Sequence, residues 1–172
     1  MQEFLFRIAT PADANEIAAL VNRAYRPAVS ERSWTHEADL IAGARTSVEQ
    51  VRALFGSQSF VLLLCRAQEI LACVHLEIIG ASAHIGMLAT RPDAQAKGLG
   101  KKMLEQAEQH ARQHFRIESF EISVLSLREE LLLFYERRGY VRTGVRFPYP
   151  VDSGVGQPLR ENVELESLIK LA

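Results

Sequence analysis

The sequence predicts an α/β fold with a single mixed, mostly antiparallel sheet and helices on both faces. Three observations carry that expectation. Strand-like and helix-like segments follow one another in the order β-α-α-β-β-β-α-β-α-β-β, too alternating for separate α and β halves and too mixed for an all-parallel sheet. The run "SFVLLLCRAQEILACVHLEII" at 59–79 supplies two apolar strands around a short turn near 67–68. The chain has 172 residues, 48 % of them hydrophobic, enough for one core and short for two, so residues 1–172 are expected to form one domain.

"EFLFRIA" (3–9) reads as the first strand. Thr10 then suits an N-cap, with Pro11 at the first helical position and Asp13 in the first turn. Ile17, Leu20, Val21 and Ala24 form the apolar stripe of helix 1. Arg26-Pro27 ends it, because the residue before a proline is pushed out of the helical region. Residues 27–45 are irregular. Thr46 and Glu49 stand in capping-box spacing for helix 2, with Gly56 as its expected stop.

After the strand pair, "AHIGMLAT" (83–90) is a third strand in series. Leu99, Met103, Leu104, Ala107 and Ala111 recur at helical spacing, and Arg112 and Arg116 suit the C-terminal end of that helix. "FEISVL" (120–125) reads as a buried strand, and a helix over 128–138 stops at Gly139, a C′ glycine. "YVRTGVRF" and "NVELESLIK" close the sheet around a Pro/Gly-rich loop at 148–160.

Composition narrows the function. A net charge of −1 exerts no global pull toward nucleic acid or membrane. No basic-aromatic stripe marks a nucleic-acid surface, and no stretch approaches transmembrane length. Cys65 and Cys73 sit in apolar runs without zinc-type spacing, which suits core residues in a reducing compartment and no metal. "MQEFLFRIAT" has too short an apolar run for a signal peptide. The expected location is cytoplasmic.

One stretch points to a ligand. "ATRPDAQAKGLGKKML" (89–104) places Gln95, Gly98 and Gly100 ahead of an amphipathic helix with Lys101 and Lys102 in its first turn. A glycine-rich turn at a helix N-terminus presents bare backbone N–H groups to phosphate. A Walker A loop fails here, since Gln95 stands where it needs glycine and Lys102 where it needs Ser or Thr. A dinucleotide fingerprint needs glycine at Met103.

Q-x-x-G-x-G after a strand ending "LATRP" resembles the acetyl-CoA pyrophosphate loop of the GNAT superfamily of N-acyltransferases. "LLLFYERRGYVRTG" (131–144) is similar to its aromatic-Tyr-x-x-x-Gly-aromatic stretch, and "FRIATPADANEIAALVNRAYR" to its first strand and helix. The resemblance covers nearly the whole chain and implies the GNAT fold. It assigns acetyl-CoA binding to Gln95, Ala96, Lys97, Gly98, Leu99, Gly100 and Lys101, whose N–H groups from about Lys97 to Lys101 would hold the pyrophosphate. Backbone at Met87, Leu88 and Ala89 would contact the acetyl carbonyl and Thr90 the pantetheine, laid where two strands splay apart.

The implied reaction is transfer of an acetyl group from acetyl-CoA to a primary amine of a small molecule or peptide, by direct attack through a tetrahedral intermediate. Tyr135 matches the tyrosine that the family aims at the CoA sulfur, and a phenol stays protonated at neutral pH. The chain departs from the family twice. The position of the family's glutamate base is Gly86, and that of an asparagine seven residues before the tyrosine is Arg128. Substitute bases are Glu77 and His75, on one side of a strand, and His84 on the next; a water relay needs none of them. Glu77 is the choice made on sequence.

The acceptor site is expected from 27–45, the 80–84 turn and the 148–160 loop, the last as a flap over a small substrate. Trp34, Glu37 and Arg45 stand out, Glu37 to face an amine and Arg45 a carboxylate. Acetylation of protein N-termini or lysines, and a non-catalytic acetyl-CoA-binding module, are the competing readings. Strand edges near the C-terminus suit a homodimer.

Overall fold

The computed structural model describes residues 3–28, 30, 36–94 and 98–172. Among these, the elements in chain order are β1 (Phe4–Ile8), α1 (Ala14–Tyr25), β2 (Ile41–Ala42), α2 (Val48–Arg52), β3 (Ser59–Arg66), β4 (Glu69–Ile79), β5 (Ser82–Thr90), α3 (Leu99–His114), β6 (Ser119–Leu125), α4 (Glu129–Glu136), β7 (Val141–Pro148), β8 (Gln157–Pro158) and β9 (Glu164–Leu171). Seven strands form one sheet in the order β1-β3-β4-β5-β6-β9-β7. Only the β5–β6 pair is parallel; the other neighbours run antiparallel.

The apolar runs of β3 and β4 are buried on both faces, which is why they read as continuous rather than alternating. One face packs on α1 and α2 through Ile17, Val21, Val51, Leu63 and Cys73. The other packs on α3 and α4 through Leu76, Met103, Leu104, Phe120 and Leu132. Ile17, Met103 and Leu132 are each fully buried, so truncating any of them to alanine costs about 2–5 kcal/mol.

The start of α1 is fastened as its sequence implies, one turn later. Pro11–Asp13 is a 3₁₀ turn. The Thr10 N–H donates to Asp13 at 2.8 Å, and Arg7 grips the same carboxylate through two 2.8 Å bonds. Arg7 holds the Asp13 carboxyl down to about 2.

The capping box of α2 falls one residue beyond Thr46–Glu49. The Ser47 hydroxyl accepts from Gln50 N–H at 3.1 Å, and Gln50 Oε1 accepts from Ser47 N–H at 3.0 Å. The helix ends at Arg52 rather than at Gly56, whose N–H donates to the Ser59 carbonyl. Gly139 does close α4, at φ +93°.

The larger correction concerns 27–45 and 148–160. β2 and β8 pair antiparallel, Ile41 against Pro158 and Ala42 against Gln157. Ile41, Leu125, Tyr149 and Val163 form a small core beside them. Gly156 takes φ +103°, and a Cβ there would lie 2.6 Å from the Ala42 carbonyl oxygen, so only glycine lets the ribbon close. Arg26 clasps the junction, donating to Glu37 at 2.7 Å, Gly43 O at 2.7 Å, Val155 O at 2.8 Å and the Tyr149 hydroxyl at 3.1 Å. The 148–160 segment is thus anchored and not a free flap.

Candidate active site

The site grows from a defect in the sheet. In the β4–β5 ladder Cys73 faces Ala89, yet His75 faces Gly86, so Met87 and Leu88 share the space opposite Val74. Met87 takes φ +52° to make this bulge. Beyond His84, β5 and β6 no longer pair. The edge of β5 from Gly86 to Thr90 is left facing a gap, and the Tyr25 hydroxyl pins it by donating to the Leu88 carbonyl at 3.1 Å.

A cleft of about 280 Å³ lies along this edge and reaches the start of α3. Leu88, Ala89 and Thr90 line one side, and Gly98, Leu99, Gly100 and Lys101 another. Gly98 sits at φ +72°, and a Cβ there would meet no described residue within 4 Å. The first α3 bond is Lys102 N–H to Gly98 O, so the N–H groups of Leu99, Gly100 and Lys101 have no partner within the helix. Gln95, Ala96 and Lys97 lie outside the described residues.

Lys101 lines the cleft beside Glu105, 3.8 Å away. Lys102 does not; its Nζ sits 4.9 Å from the Phe4 ring centroid. Sequence reasoning missed Arg137 and Arg138, which line the cleft at the end of α4. Arg138 stacks 3.6 Å from the Phe134 ring centroid and donates to the Phe134 carbonyl. The "ERRG" run at the helix stop was their only signal.

A second cavity, about 290 Å³, opens on the other side of the gap. The two share four lining residues: Tyr25, Arg128, Leu131 and Tyr135. Met87, assigned on sequence to the cofactor through its backbone, lines this second cavity, because the bulge turns its side chain to the α1 face. Tyr135 is buried and packs edge-on to Phe134 and Tyr140, ring centroids 5.2 and 5.7 Å away. Burial raises its pKa above the ordinary 10, so the phenol holds its proton. Burial also pushes Tyr25 up to about 12.

His75, His84, Gly86 and Glu121 line the second cavity. The His75 Nε2 lies 2.8 Å from the Ser59 hydroxyl, and burial lowers its pKa below the usual 6.5 while the charge of Glu77 opposes that. Glu77 itself lines neither cavity: it stands two residues farther toward the β4–β5 turn, opposite His84 in the ladder. Among the described residues nothing lies within 4 Å of a Cβ position at Gly86, so the position where the resemblance places a glutamate has room for a side chain. Glu37 borders the cavity but is bound to Arg26, both side chains nearly buried. Arg45 borders it too, 5.5 Å from the Tyr25 ring centroid. Trp34 lies outside the described residues. These residues also include no cluster of three or more His, Cys, Asp or Glu suited to a metal, and no helix long and apolar enough to cross a membrane.

A family model described as "Acetyltransferase (GNAT) family" matches residues 15–140, from α1 through α4. The chain belongs to the GNAT acetyltransferase family. Its fold is shared by the ribosomal-protein-S18-alanine N-acetyltransferase of Escherichia coli, with a TM-score of 0.73 at 14 % identity over 98 % of this chain and 94 % of that one. It is shared by the ribosomal-protein-alanine N-acetyltransferase of Brucella melitensis, TM-score 0.72 at 16 % identity over 98 % and 99 %. A GNAT family acetyltransferase of Elizabethkingia anophelis with acetyl-CoA bound gives 0.67 at 16 % identity over 98 % of each chain. No curated protein sequence matches this GNAT acetyltransferase.

Proposed function

We propose that this acetyltransferase moves an acetyl group from acetyl-CoA to a primary amine of a small molecule or peptide, by direct attack through a tetrahedral intermediate. The observation that carries the reading is Tyr135 on the wall shared by the two cavities, where a donor on one side meets an acceptor on the other. The residues of the first cleft fit acetyl-CoA. Bare N–H groups at the α3 N-terminus favour a pyrophosphate, Lys101, Arg137 and Arg138 add positive charge, and the open β5 edge accepts an extended pantetheine as a further strand.

Acetyl-CoA supplies the activated thioester carbonyl. The backbone of the β5 bulge at Met87–Ala89 orients that carbonyl and steadies the oxyanion. Tyr135 delivers a proton to the departing sulfur. His75 takes the proton from the amine: in the tautomer that donates Nε2–H to Ser59, 2.8 Å away, Nδ1 keeps the lone pair a base needs. Glu77 acts through His75 as a charge that keeps it basic. Cys73 lies near the bulge, its Sγ 3.7 Å from the Met87 carbonyl, but burial pushes its thiol up to about 12, too protonated for an acyl-enzyme route.

We read the chain as one domain, cytoplasmic given two free buried cysteines. A homodimer is part of the same proposal, through the exposed face of β7 at the sheet edge. Calorimetric titration with acetyl-CoA, followed by a thiol-release screen across amines, tests the reading. Tight binding with turnover supports it. Binding without turnover on any amine favours a non-catalytic acetyl-CoA-binding module, and no binding removes it.

A further inference from the structure

Besides the phenols of Tyr25, Tyr135 and Tyr149, six acidic or basic side chains among the described residues border the second cavity: Glu37, Arg45, His75, His84, Glu121 and Arg128. Their partners divide them by sign. Glu37 accepts two bonds from Arg26, at 3.1 and 2.7 Å. Glu121 accepts from the Ser82 hydroxyl at 3.0 Å and has His84 Nε2 3.7 Å away. Both carboxylates are therefore engaged within the protein.

The Arg128 guanidinium is only partly engaged. Arg128 is 3 % exposed; its Nε donates to Glu130 at 3.2 Å, and its Nη2 is buried with no hydrogen-bond partner among the described residues. Arginine stays charged and offers five donors in a planar fork suited to a carboxylate. A buried donor left unsatisfied is costly and rare, and the residue that carries this one lines both cavities. Arg45 borders the same cavity and not the cofactor cleft. Arg128, standing on the shared wall, is close to where the amine must react.

Resting on the acetyl-transfer reading, we propose that the acceptor amine carries a carboxylate close to its nitrogen, as an amino acid does, and that Arg128 Nη2 binds it with Arg45 as a second cation. An acyl donor with its own terminal carboxylate offers Nη2 the same chemistry. Arg45 decides for the acceptor, because it borders only the acceptor side.

The test compares thiol release with acetyl-CoA for glycine, alanine, phenylalanine and glutamate against their C-terminal amides. The amides are also run with succinyl-CoA. Wild type, Arg128→Gln and Arg128→Lys are measured, with acetyl-CoA affinity read by calorimetry. The acids are expected to exceed the amides in kcat/KM by about ten- to hundredfold, the size of one charge-assisted hydrogen bond. Arg128→Gln lowers the acids at least tenfold more than the amides, chiefly through KM, and Arg128→Lys recovers part. Acetyl-CoA affinity changes far less.

Amides that match the acids in wild type overturn the inference. So does a loss of acetyl-CoA affinity in Arg128→Gln equal to the loss with acids, which assigns Arg128 to the cofactor. A preference for succinyl-CoA that Arg128→Gln abolishes moves the carboxylate to the donor and also overturns it. If acetyl-CoA fails to bind, the reading beneath has failed separately. Calorimetry with N-acetyl amino acids and their amides then tests the carboxylate site alone, where binding of the acids that Arg128→Gln weakens supports it and its absence overturns it.

Discussion

His75 and Gly86 stand opposite each other in the β4–β5 ladder, and both border the second cavity. The side chain that can take a proton is on one strand, and the space that the family fills with glutamate is on the other. Burial lowers the pKa of His75, so the imidazole is neutral at pH 7 and accepts a proton there. The rate should fall only as pH drops through a value below 6.5. His75→Gln is expected to remove that acidic limb from kcat/KM and to lower kcat by about 10²-fold. Glu77→Gln gives a different profile. Glu77 raises the His75 pKa, so its neutralisation should move the limb to lower pH without erasing it. A limb that vanishes in Glu77→Gln would make Glu77 the base itself.

The open space at Gly86 gives a rescue experiment. Its φ lies outside the left-handed region and a Cβ there meets nothing within 4 Å, so a side chain is sterically allowed. Adding Gly86→Glu to His75→Gln should recover about tenfold or more of the lost kcat/KM. The restored acidic limb should fall nearer the carboxylate range. Steady-state pH profiles of the single and double variants check this.

Tyr135→Phe keeps the ring packing against Phe134 and Tyr140 and removes only the proton donor. The expected result is a fall in kcat of about 10²-fold or more, with calorimetric acetyl-CoA affinity within about twofold of wild type, since the proposed binding groups are backbone and cations elsewhere. An unchanged kcat from acid to alkaline pH would remove Tyr135 from the mechanism.

Gly98 and Gly100 should respond differently to alanine. Gly98 is at φ +72°, so a side chain there costs about 1–2 kcal/mol of stability although space is available. At Gly100 the new Cβ meets Phe134 at 3.8 Å, an ordinary contact inside a helix, and stability should hold or rise by up to about 1 kcal/mol. Thermal unfolding separates the two.

Arg26→Gln strips the partner from a buried carboxylate on Glu37 and releases the carbonyls of Gly43 and Val155. A loss of about 3–5 kcal/mol in urea unfolding is expected. Tyr149, which borders the acceptor cavity, loses the same guanidinium, so the acceptor KM should rise while acetyl-CoA affinity holds.

What was readable in the chain is what local rules decide. The stripe Ile17-Leu20-Val21-Ala24, the glycine-rich turn ahead of α3 and the helix stop at Gly139 follow from spacing and residue type. The α2 cap was displaced by one residue because Thr46 and Ser47 are equivalent on local chemistry, and the Gln50 side chain decides between them. The Arg26 clasp was hidden for another reason. It joins residues 11, 17 and 129 positions apart, and no periodicity encodes such a meeting. His75 and Glu77 share one strand side, but the bulge and the end of β5–β6 pairing decide which of them borders the cavity. Arg128 read as a departure from family pattern; its burial and its unpaired Nη2 are tertiary facts.

The partition formed by Tyr25, Arg128, Leu131 and Tyr135 has a kinetic meaning. On the proposed reading, donor and acceptor occupy separate chambers that touch along one wall, so neither must depart before the other arrives. That reading requires a ternary complex, and double-reciprocal plots at several fixed amine concentrations should intersect rather than run parallel. For the same reason, labelled CoA should not exchange into acetyl-CoA while the amine is withheld.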